Sequence, residues 1–143
     1  MLYNVPARTG CDLLPDTVAR LVEYPEVVSL KEASGSVQRT EQIVRKLGDR
    51  LSLLSGEDAL NLPLYCVGAR GAVSVVSNVA PALTVEIYEK ARAGQLSAAT
   101  ALHHKFVPLA EALFSEPNPI PTKAALHKLM PERVQPTLRL PLP

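Results

Sequence analysis

The sequence predicts an α/β fold made of four strand–helix units and a final helical element. The run 27–31, Val-Val-Ser-Leu-Lys, is apolar and β-branched, which is typical of a strand covered on both faces of a parallel sheet. Short apolar runs recur at 2–6, 51–54 and 71–78, and each is followed by a segment with helical periodicity. Only helical patterns follow Gln95. Repeated units of this kind form a parallel sheet with right-handed crossovers.

The composition indicates one ordinary domain with a small-molecule or protein partner. The chain has 143 residues, 47% of them hydrophobic, which is enough for one core. Its formal net charge is +1 without a basic run, so we expect neither nucleic acid nor a membrane surface as a partner. Cys11 and Cys66 lie far apart, which predicts no disulfide framework, no zinc site and a cytoplasmic protein. No apolar run approaches the ~20 residues of a membrane span, and no signal-peptide pattern opens the sequence.

The first unit is a short strand at 2–6 that ends at Pro6 and leads into a polar loop at 7–10. A helix is then expected from Pro15 to Pro25, because proline suits a first helical turn and apolar residues follow at helical spacing. The second unit is the strand 27–31 followed by a helix. Ser36 is the predicted N-cap of this helix and Gly48 its stop, and its buried stripe consists of Ile43, Val44 and Leu47.

The third strand, 51–54, is followed by Ser-Gly-Glu-Asp at 55–58, which has the spacing of a capping box for a helix through Cys66. Pro63 should kink that helix or delay its start. The fourth strand is predicted at 71–78. Its helix is predicted from Pro81 to Ala93, with Gly94 as the stop.

The last third is predicted to be helical at 96–114, with a break near Pro108, and again at 122–130. A rigid proline-rich segment, 116–121, separates these two helices, and the tail 137–143 is expected to lie extended against the body. The predicted organisation is therefore four βα units over residues 1–94 and a C-terminal helical element over residues 95–143.

Two architectures accommodate four such units: an open doubly wound sheet and half of a TIM (β/α)8 barrel, which in full takes about 250 residues. A doubly wound nucleotide-binding sheet has less support, because the sequence contains no Gly-x-Gly-x-x-Gly and no phosphate loop. The glycines of residues 68–71 precede a predicted strand, which is the wrong context for such a loop. Half a TIM barrel is the predicted architecture.

Lys31 is the first candidate site residue, because it places a charge at the carboxyl end of a buried strand, where α/β folds carry their chemistry. Taken alone, a lysine in this position is more often ion-paired or directed to solvent than reactive. By itself Tyr3 would be a packing tyrosine and Arg8 a solvated loop residue. Both gain significance only together with Lys31.

Other polar residues have structural interpretations. Glu32 faces away from Lys31 in the strand pleat and is interpreted as structural. Ser55, Gly56 and Asp58 are interpreted as a helix cap and not as substrate contacts. The three histidines lack a metal-binding spacing; these are His103, His104 and His127.

Three segments carry a more specific pattern. They are residues 3–10 (Tyr-Asn-Val-Pro-Ala-Arg-Thr-Gly), 30–35 (Leu-Lys-Glu-Ala-Ser-Gly) and 114–123 (Phe-Ser-Glu-Pro-Asn-Pro-Ile-Pro-Thr-Lys). Together they resemble the dihydrodipicolinate synthase family (4-hydroxy-tetrahydrodipicolinate synthase), which is related to N-acetylneuraminate lyase. The resemblance covers the whole chain and implies the C-terminal half of the barrel, from the fifth strand through the C-terminal helices.

The resemblance implies a class I aldolase-type lyase that condenses pyruvate with aspartate semialdehyde in lysine (diaminopimelate) biosynthesis. It implies that Lys31 forms a Schiff base with pyruvate and that Tyr3 relays protons at the carbonyl. It also implies that Arg8 holds the carboxylate of the second substrate and that the main chain of Val73 lies close to the pyruvate adduct. No cofactor and no metal are expected, because the lysine itself serves as the electron sink.

Elementary chemistry agrees with these roles. Only a neutral amine attacks a ketone, and a lysine at its reference pKa is about 0.04% neutral at pH 7, so a catalytic lysine needs burial or a cationic neighbour. A phenol within reach of the carbonyl oxygen, such as that of Tyr3, can donate and accept the protons of carbinolamine formation. The fork-shaped guanidinium of Arg8 suits a carboxylate at the rim of a pocket.

The resemblance also implies what the other half of the barrel supplies. In this family that half carries a threonine loop that grips the pyruvate carboxylate and a second tyrosine that a neighbouring subunit inserts, and no residue before Tyr3 can supply either. Two hypotheses follow: a lyase that is impaired without the first half-barrel, and a truncated non-catalytic homologue that persists as a folded oligomer. Because open strand edges favour association, we expect a homo-oligomer, a dimer or larger, that could complete a barrel.

Overall fold

The computed structural model of the chain describes residues 1–142, and Pro143 lies outside the described residues. The sheet consists of β1 (Leu2–Asn4), β2 (Ser29–Glu32) and β3 (Ser52–Ser55). The α-helices in this range are α1 (Pro6–Thr9), α2 (Pro15–Leu21), α3 (Val37–Leu47), α4 (Asn61–Cys66), α5 (Pro81–Arg92), α6 (Leu96–Leu113) and α7 (Ile120–Leu129). Short 3-10 helices lie at Gly48–Arg50, Asp58–Leu60 and Val76–Asn78.

The sheet is parallel, with its strands in the order β1, β2, β3. Tyr3 lies opposite Lys31, and Lys31 lies opposite Leu54. Helices α2 and α3 connect successive strands, as the alternating sequence pattern predicts. The α/β class and the parallel sheet are therefore confirmed.

Two groups of buried side chains form the core. The first lies between the sheet and the helices α2 to α4 and contains Val18, Leu30, Ile43, Leu47, Leu51, Leu53, Leu64 and Ala69. The second joins α5 and α6 to the region after β3 and contains Leu62, Val76, Ile87, Ala99, Phe106, Ala110 and Leu113. The first core fixes the sheet, and the second attaches the C-terminal helices to it.

The helix caps of the second and fourth units form as predicted. The Ser36 hydroxyl accepts a hydrogen bond from the Arg39 backbone N–H at 3.0 Å and so caps α3. Gly48 ends α3 with a φ of 53°, in the left-handed region that favours glycine. Gly94 follows α5 with a φ of 71°.

The predicted fourth strand, 71–78, is wrong. This segment makes only a single bridge between Ala72 and Ser55, and it then turns into the 3-10 helix Val76–Asn78. The carboxylate of Asp58 accepts hydrogen bonds from the backbone N–H groups of Val75, at 2.7 Å, and Val76, at 3.0 Å. These donors are satisfied by a side chain, so the segment leaves the sheet.

The predicted capping box at 55–58 is also wrong. The Ser55 hydroxyl accepts a hydrogen bond from the Glu57 N–H at 3.2 Å, and the chain continues through a 3-10 turn before α4 begins at Asn61. Pro63 lies in the first turn of α4, which agrees with the predicted late start of this helix.

Two further segments differ from the sequence prediction. The predicted polar loop at 7–10 is largely the short helix α1, because Pro6 starts a helical turn and Gly10 ends it. The predicted break near Pro108 does not occur, since α6 is continuous and buries Phe106 and Ala110 on either side of the proline. The tail predicted as extended at 137–143 contains no helix or strand up to Leu142, and the Thr137 carbonyl accepts a hydrogen bond from the ammonium of Lys123.

Candidate active site

The candidate site is centred on two side chains from adjacent strands. Tyr3 in β1 and Lys31 in β2 are directly opposite in the parallel register, so their side chains leave the same face of the sheet. The Lys31 Nζ lies 4.0 Å from the centroid of the Tyr3 ring, which is a cation–π contact. The ring and the amine therefore occupy one small region at the carboxyl end of the sheet.

A cavity of about 420 Å³ opens beside this pair. Tyr3, Arg8, Lys31 and Val73 all line it. The structure thus brings together every residue that the sequence analysis selected for the site. The cavity is also lined by residues that the sequence analysis did not select, among them Gly56, Glu57, Val75, Phe114 and Asn118.

Arg8 reaches the cavity from the last turn of α1. The helix starts at Pro6 and ends at Gly10, whose φ of 65° suits a residue without a Cβ. Among the described residues, the Arg8 guanidinium takes part in no ion pair. A guanidinium that is not neutralised at the rim of a cavity is suited to an anionic group on a ligand.

Gly56 packs against the stem of the Lys31 side chain. A Cβ at position 56 would lie 2.8 Å from the Ala33 Cβ and 3.0 Å from both Cγ and Cε of Lys31. The Gly56 N–H donates to the Glu32 carbonyl at 2.7 Å, which fixes this close approach. The sequence pattern predicts a helix cap at Gly56, although its position just beyond β3 is also a signal for the site.

Glu57 is the carboxylate of the cavity. Burial raises the pKa of its carboxyl group above the ordinary value, and the neighbouring Asp58 acts in the same direction. The residue lies two positions beyond the end of β3, at the same edge of the sheet as Lys31. An acidic residue after a buried strand was again a signal that the sequence analysis did not use.

The segments that carry the other cavity residues are held by hydrogen bonds. The Val73 N–H donates to the Ser55 carbonyl at 2.8 Å, which places Val73 beside the end of β3. In the C-terminal part, the Thr122 hydroxyl donates to Asn118 Oδ1 at 3.0 Å. Residues far apart in the sequence therefore meet at one cavity.

A larger groove, of about 610 Å³, lies between residues 14–16 and α3. Its charged side chains already have protein partners, since Arg39 pairs with Asp12 and Lys46 pairs with Asp16. None of its lining residues belongs to the sheet. The smaller cavity at the strand ends is therefore the better candidate for chemistry.

The histidines lie outside the candidate site. His103 is buried on α6 and stacks on Phe106, with 6.1 Å between ring centroids, while His104 is exposed. His127 Nδ1 lies 2.7 Å from the Val134 carbonyl oxygen. Within residues 1–142, no group of three or more His, Cys, Asp and Glu side chains is arranged to hold a metal ion. In the same range, no helix is both long and apolar enough to cross a membrane.

The parallel strands end at a cavity with a lysine, a tyrosine and an arginine, which places the chain in the α/β class whose strand ends carry the chemistry. Residues 1–143 match the Dihydrodipicolinate synthetase family, and the chain belongs to this family. The resemblance carried by the three sequence segments is thereby confirmed.

Relatives named 4-hydroxy-tetrahydrodipicolinate synthase are similar over nearly the whole chain. The protein from Halorhodospira halophila is 46% identical over 129 residues, which cover 90% of this chain and 43% of the relative. The protein from Methanothrix thermoacetophila is 47% identical over 143 residues, which cover 99% of this chain and 48% of the relative. The chain spans about half the length of the curated relatives it matches.

Solved structures of such synthases have the same fold over this region. The enzyme from Methylacidiphilum fumariolicum SolV gives a TM-score of 0.94 at 44% identity, covering 100% of this chain and 47% of that one. The chloride-inhibited dihydrodipicolinate synthase from Acinetobacter baumannii, complexed with pyruvate, gives 0.94 at 40% identity, covering 99% and 48%.

Proposed function

We propose that this chain carries the Schiff-base site of a dihydrodipicolinate synthase-type lyase, which condenses pyruvate with aspartate semialdehyde in lysine (diaminopimelate) biosynthesis. The contact between the Lys31 amine and the Tyr3 ring, inside a cavity that also holds Arg8, is the observation that carries the proposal. Membership of the family and a similar structure complexed with pyruvate support it.

In the proposed reaction the neutral amine of Lys31 attacks the ketone carbon of pyruvate and forms a carbinolamine. Loss of water then gives an iminium, which makes the adjacent methyl group acidic. The Tyr3 hydroxyl donates a proton to the departing oxygen and accepts protons in return. Loss of a methyl proton converts the iminium into an enamine, whose terminal carbon adds to the aldehyde carbon of the second substrate while the aldehyde oxygen gains a proton. Addition of water or of the substrate's own amine to the iminium carbon then breaks its bond to Lys31 and restores the free amine.

Two further residues complete the proposed substrate contacts. Arg8 binds the carboxylate of aspartate semialdehyde, because its guanidinium lies at the cavity and has no ion-pair partner among the described residues. The main chain of Val73 lies next to the pyruvate adduct, since Val73 and Lys31 line the same cavity. The reaction requires no metal or redox cofactor, because the iminium is the electron sink.

We propose further that residues 1–94 form half of a (β/α)8 barrel and that residues 95–143 form its helical appendage. The similar structures, which are about twice as long as the matched region, support this architecture. Full turnover then requires the complementary half-barrel, whether it belongs to the same polypeptide or to another chain.

The open side of the sheet supports association of this chain into a dimer or larger homo-oligomer. Within the described residues β1 pairs only with β2, and Tyr3 is 48% exposed on the cavity face. An unpaired parallel edge beside an exposed aromatic ring favours self-association. Sedimentation of the 143-residue chain tests this proposal, and a compact monomer at all concentrations contradicts it.

Reductive trapping tests the proposed chemistry directly. Pyruvate and borohydride should leave a stable adduct that mass spectrometry locates on Lys31. Lys31→Arg should abolish labelling, because a guanidinium forms no iminium. Lys46→Arg is the matched control, since Lys46 is a partly exposed lysine paired with Asp16, and it should label like the wild type.

The trapping result also separates the two hypotheses of the sequence analysis. No adduct under conditions in which a complete homologue labels favours the non-catalytic homologue. An adduct without turnover, in an assay with pyruvate and aspartate semialdehyde, favours a site that needs the other half-barrel. Turnover that appears only when the first half of a homologous barrel is added confirms that interpretation.

A further inference from the structure

A buried polar network lies directly behind the Tyr3–Lys31 pair. It is formed by the next residue of each strand, Asn4 and Glu32, which are opposite each other in the register. Successive residues of a strand point to opposite faces, so these two side chains face away from the cavity. Asn4 is 1% exposed and Glu32 is 2% exposed. A buried carboxylate requires hydrogen-bond donors around it.

The two side chains are matched as donor and acceptor. Asn4 Nδ2 donates to Glu32 Oε2 at 3.0 Å and Oε1 at 3.4 Å. The backbone N–H of Ser34 donates to Glu32 Oε1 at 2.6 Å. Asn4 Oδ1 in turn accepts from the Leu13 N–H at 3.0 Å. Both groups that contact the Glu32 carboxylate, the Asn4 amide nitrogen and the Ser34 N–H, are hydrogen-bond donors. They therefore require a side chain that only accepts hydrogen bonds, as a carboxylate does.

The network continues to the surface through Asp12. Asn4 Nδ2 also donates to Asp12 Oδ1 at 2.9 Å. Both Asp12 oxygens accept hydrogen bonds from the Arg39 guanidinium, at 2.8 Å and 3.0 Å, in a bidentate pair. The hydrogen bond from Arg39 is the main cause that lowers the pKa of Asp12, and the hydrogen bond from Asn4 acts in the same direction. Arg39 lies in the first turn of α3, so the network joins β1, β2 and α3.

This arrangement determines how the reactive pair is held. Strand β1 has three residues, and its few ladder bonds define its alignment to β2 only weakly. A slip of one residue would move Tyr3 to the other face of the sheet. The Asn4–Glu32 hydrogen bonds form only in the observed register, which places the Tyr3 ring beside the Lys31 amine.

We propose that Glu32, through Asn4 and the Ser34 backbone, is a positioning residue that holds the Lys31 amine against the Tyr3 ring. The effect on the reactivity of the amine rests on the proposed Schiff-base function. The effect on the contact between Lys31 and Tyr3 does not. The competing interpretation gives the network a role in stability alone.

NMR tests the contact without any substrate. Protons above an aromatic face are shifted upfield, so the Lys31 Hε signal reports its place over the Tyr3 ring. We expect Glu32→Gln to remove most of that shift, because its amide group would face the donors of Asn4 and Ser34. Glu41→Gln is the matched control, since Glu41 is a partly exposed glutamate of α3 that pairs with Arg45 at 3.8 Å. It should leave the Lys31 signal unchanged.

The rate of borohydride trapping with pyruvate is the second readout. A displaced amine lowers such rates steeply, and we expect a loss of about 10- to 100-fold in Glu32→Gln. Asn4→Asp should lose at least as much, since it sets a carboxylate against those of Glu32 and Asp12. Combining Asn4→Asp with Glu32→Gln restores one donor–acceptor pair and should recover both the upfield shift and part of the trapping rate. If the network only stabilises the fold, the double variant should regain trapping rate only in proportion to its gain in folded protein. Urea titration measures that folded fraction.

The outcomes are separable. An unchanged Lys31 shift in folded Glu32→Gln overturns the proposal, and so does a trapping loss that only follows the unfolded fraction. A lost shift in Glu32→Gln, with no adduct even in the wild type, supports the positioning role and overturns the proposed function. If Glu32→Gln does not fold, Arg39→Leu provides the test at the outer, Asp12–Arg39 end of the network. We expect a partial loss of the shift there, and no loss overturns the proposal.

Discussion

The first three strand ends and the segment 71–78 carry the same kind of sequence but are held in different ways. In β1, β2 and β3 a parallel ladder fixes the backbone that carries Tyr3 and Lys31. Segment 71–78 has one bridge to β3, and its next backbone N–H groups donate to the carboxylate of Asp58. The backbone beside the cavity therefore has a strand-held half, β1 to β3, which depends on main-chain pairing. It also has a carboxylate-held half, segment 71–78, which depends on one bridge and on the buried carboxylate of Asp58.

The difference shows that a run of apolar β-branched residues needs more than its pattern to form a strand. Every buried backbone N–H requires an acceptor, and a carboxylate that lies closer than the neighbouring strand can take that role. Asp58 is 2% exposed and also accepts from Asn61 Nδ2 at 3.1 Å. Removing it tests whether the second half of the cavity depends on this residue.

Asp58→Ala should have the largest effect on stability. It leaves the N–H groups of Val75 and Val76 and the Asn61 amide without their acceptor, and we expect a loss of about 3 kcal/mol in the free energy of unfolding. Urea titration measures it. Asp49→Ala is the control, because the Asp49 side chain is 96% exposed, and it should change stability by less than about 0.5 kcal/mol. Equal effects of the two variants would contradict the role given to Asp58.

The sequence predicted the strand-held half of the molecule well. Alternating strand and helix patterns placed β1 to β3 and the cap of α3 within a few residues, because these elements depend on local propensity and caps. The hydrogen bonds from Val75 and Val76 to Asp58 span 17 and 18 residues, and no local pattern encodes them. The prediction at 71–78 failed for that reason.

The same division applies to the candidate site. Lys31 follows from a rule about strand ends, whereas the site roles of Tyr3, Arg8 and Val73 follow from the resemblance to a family. Gly56 and Glu57 were missed, because the Ser-x-x-Asp spacing at 55–58 matches a capping box equally well. The packing of Gly56 against the Lys31 stem and the start of α4 at Asn61, after a 3-10 turn, distinguish the two interpretations.

Gly56→Ala tests the junction between the two halves. The added Cβ would meet Ala33 and the Lys31 side chain at 2.8 to 3.0 Å, so we expect a loss of about 1–3 kcal/mol and a slower trapping of pyruvate on Lys31. Gly71→Ala is the matched control, because its Cβ would meet only the flexible end of Leu54 at 3.3 Å. It should cost less than about 1 kcal/mol and leave trapping unchanged. Normal trapping in Gly56→Ala would show that the lysine tolerates the displacement.

Ser36→Ala tests the strand-held half, where the predicted cap is present. The hydroxyl accepts from the Arg39 N–H, and its loss should lower the free energy of unfolding by about 1 kcal/mol. Ser97→Ala, at an exposed position of α6, is the control and should be neutral or stabilising by up to about 0.5 kcal/mol. An effect of Ser36→Ala as large as that of Asp58→Ala would remove the distinction between the two halves.

The smallest expected effect is the pH dependence of stability that His103 of α6 introduces. Burial lowers the pKa of His103 below its ordinary value of 6.5, a hydrogen bond with the Ala59 backbone opposes the shift, and His104 adds to it. The unfolded chain therefore takes up the proton first as the pH falls, so the free energy of unfolding decreases below pH 6.5 until the folded pKa is passed. Glu57 acts in the opposite sense, because its raised pKa makes the folded state bind a proton more readily, and this contribution is lost as the pH rises through that value.

The test therefore uses a Glu57→Gln background, in which the Glu57 contribution is absent. There we expect His103→Gln to lose less stability between pH 7 and pH 5 than its parent, as measured by urea titration. His104→Gln should change the profile in the same direction but less, since it removes only a secondary cause of the shift. An identical profile for parent and His103→Gln would show that the buried imidazole is not linked to folding in this range.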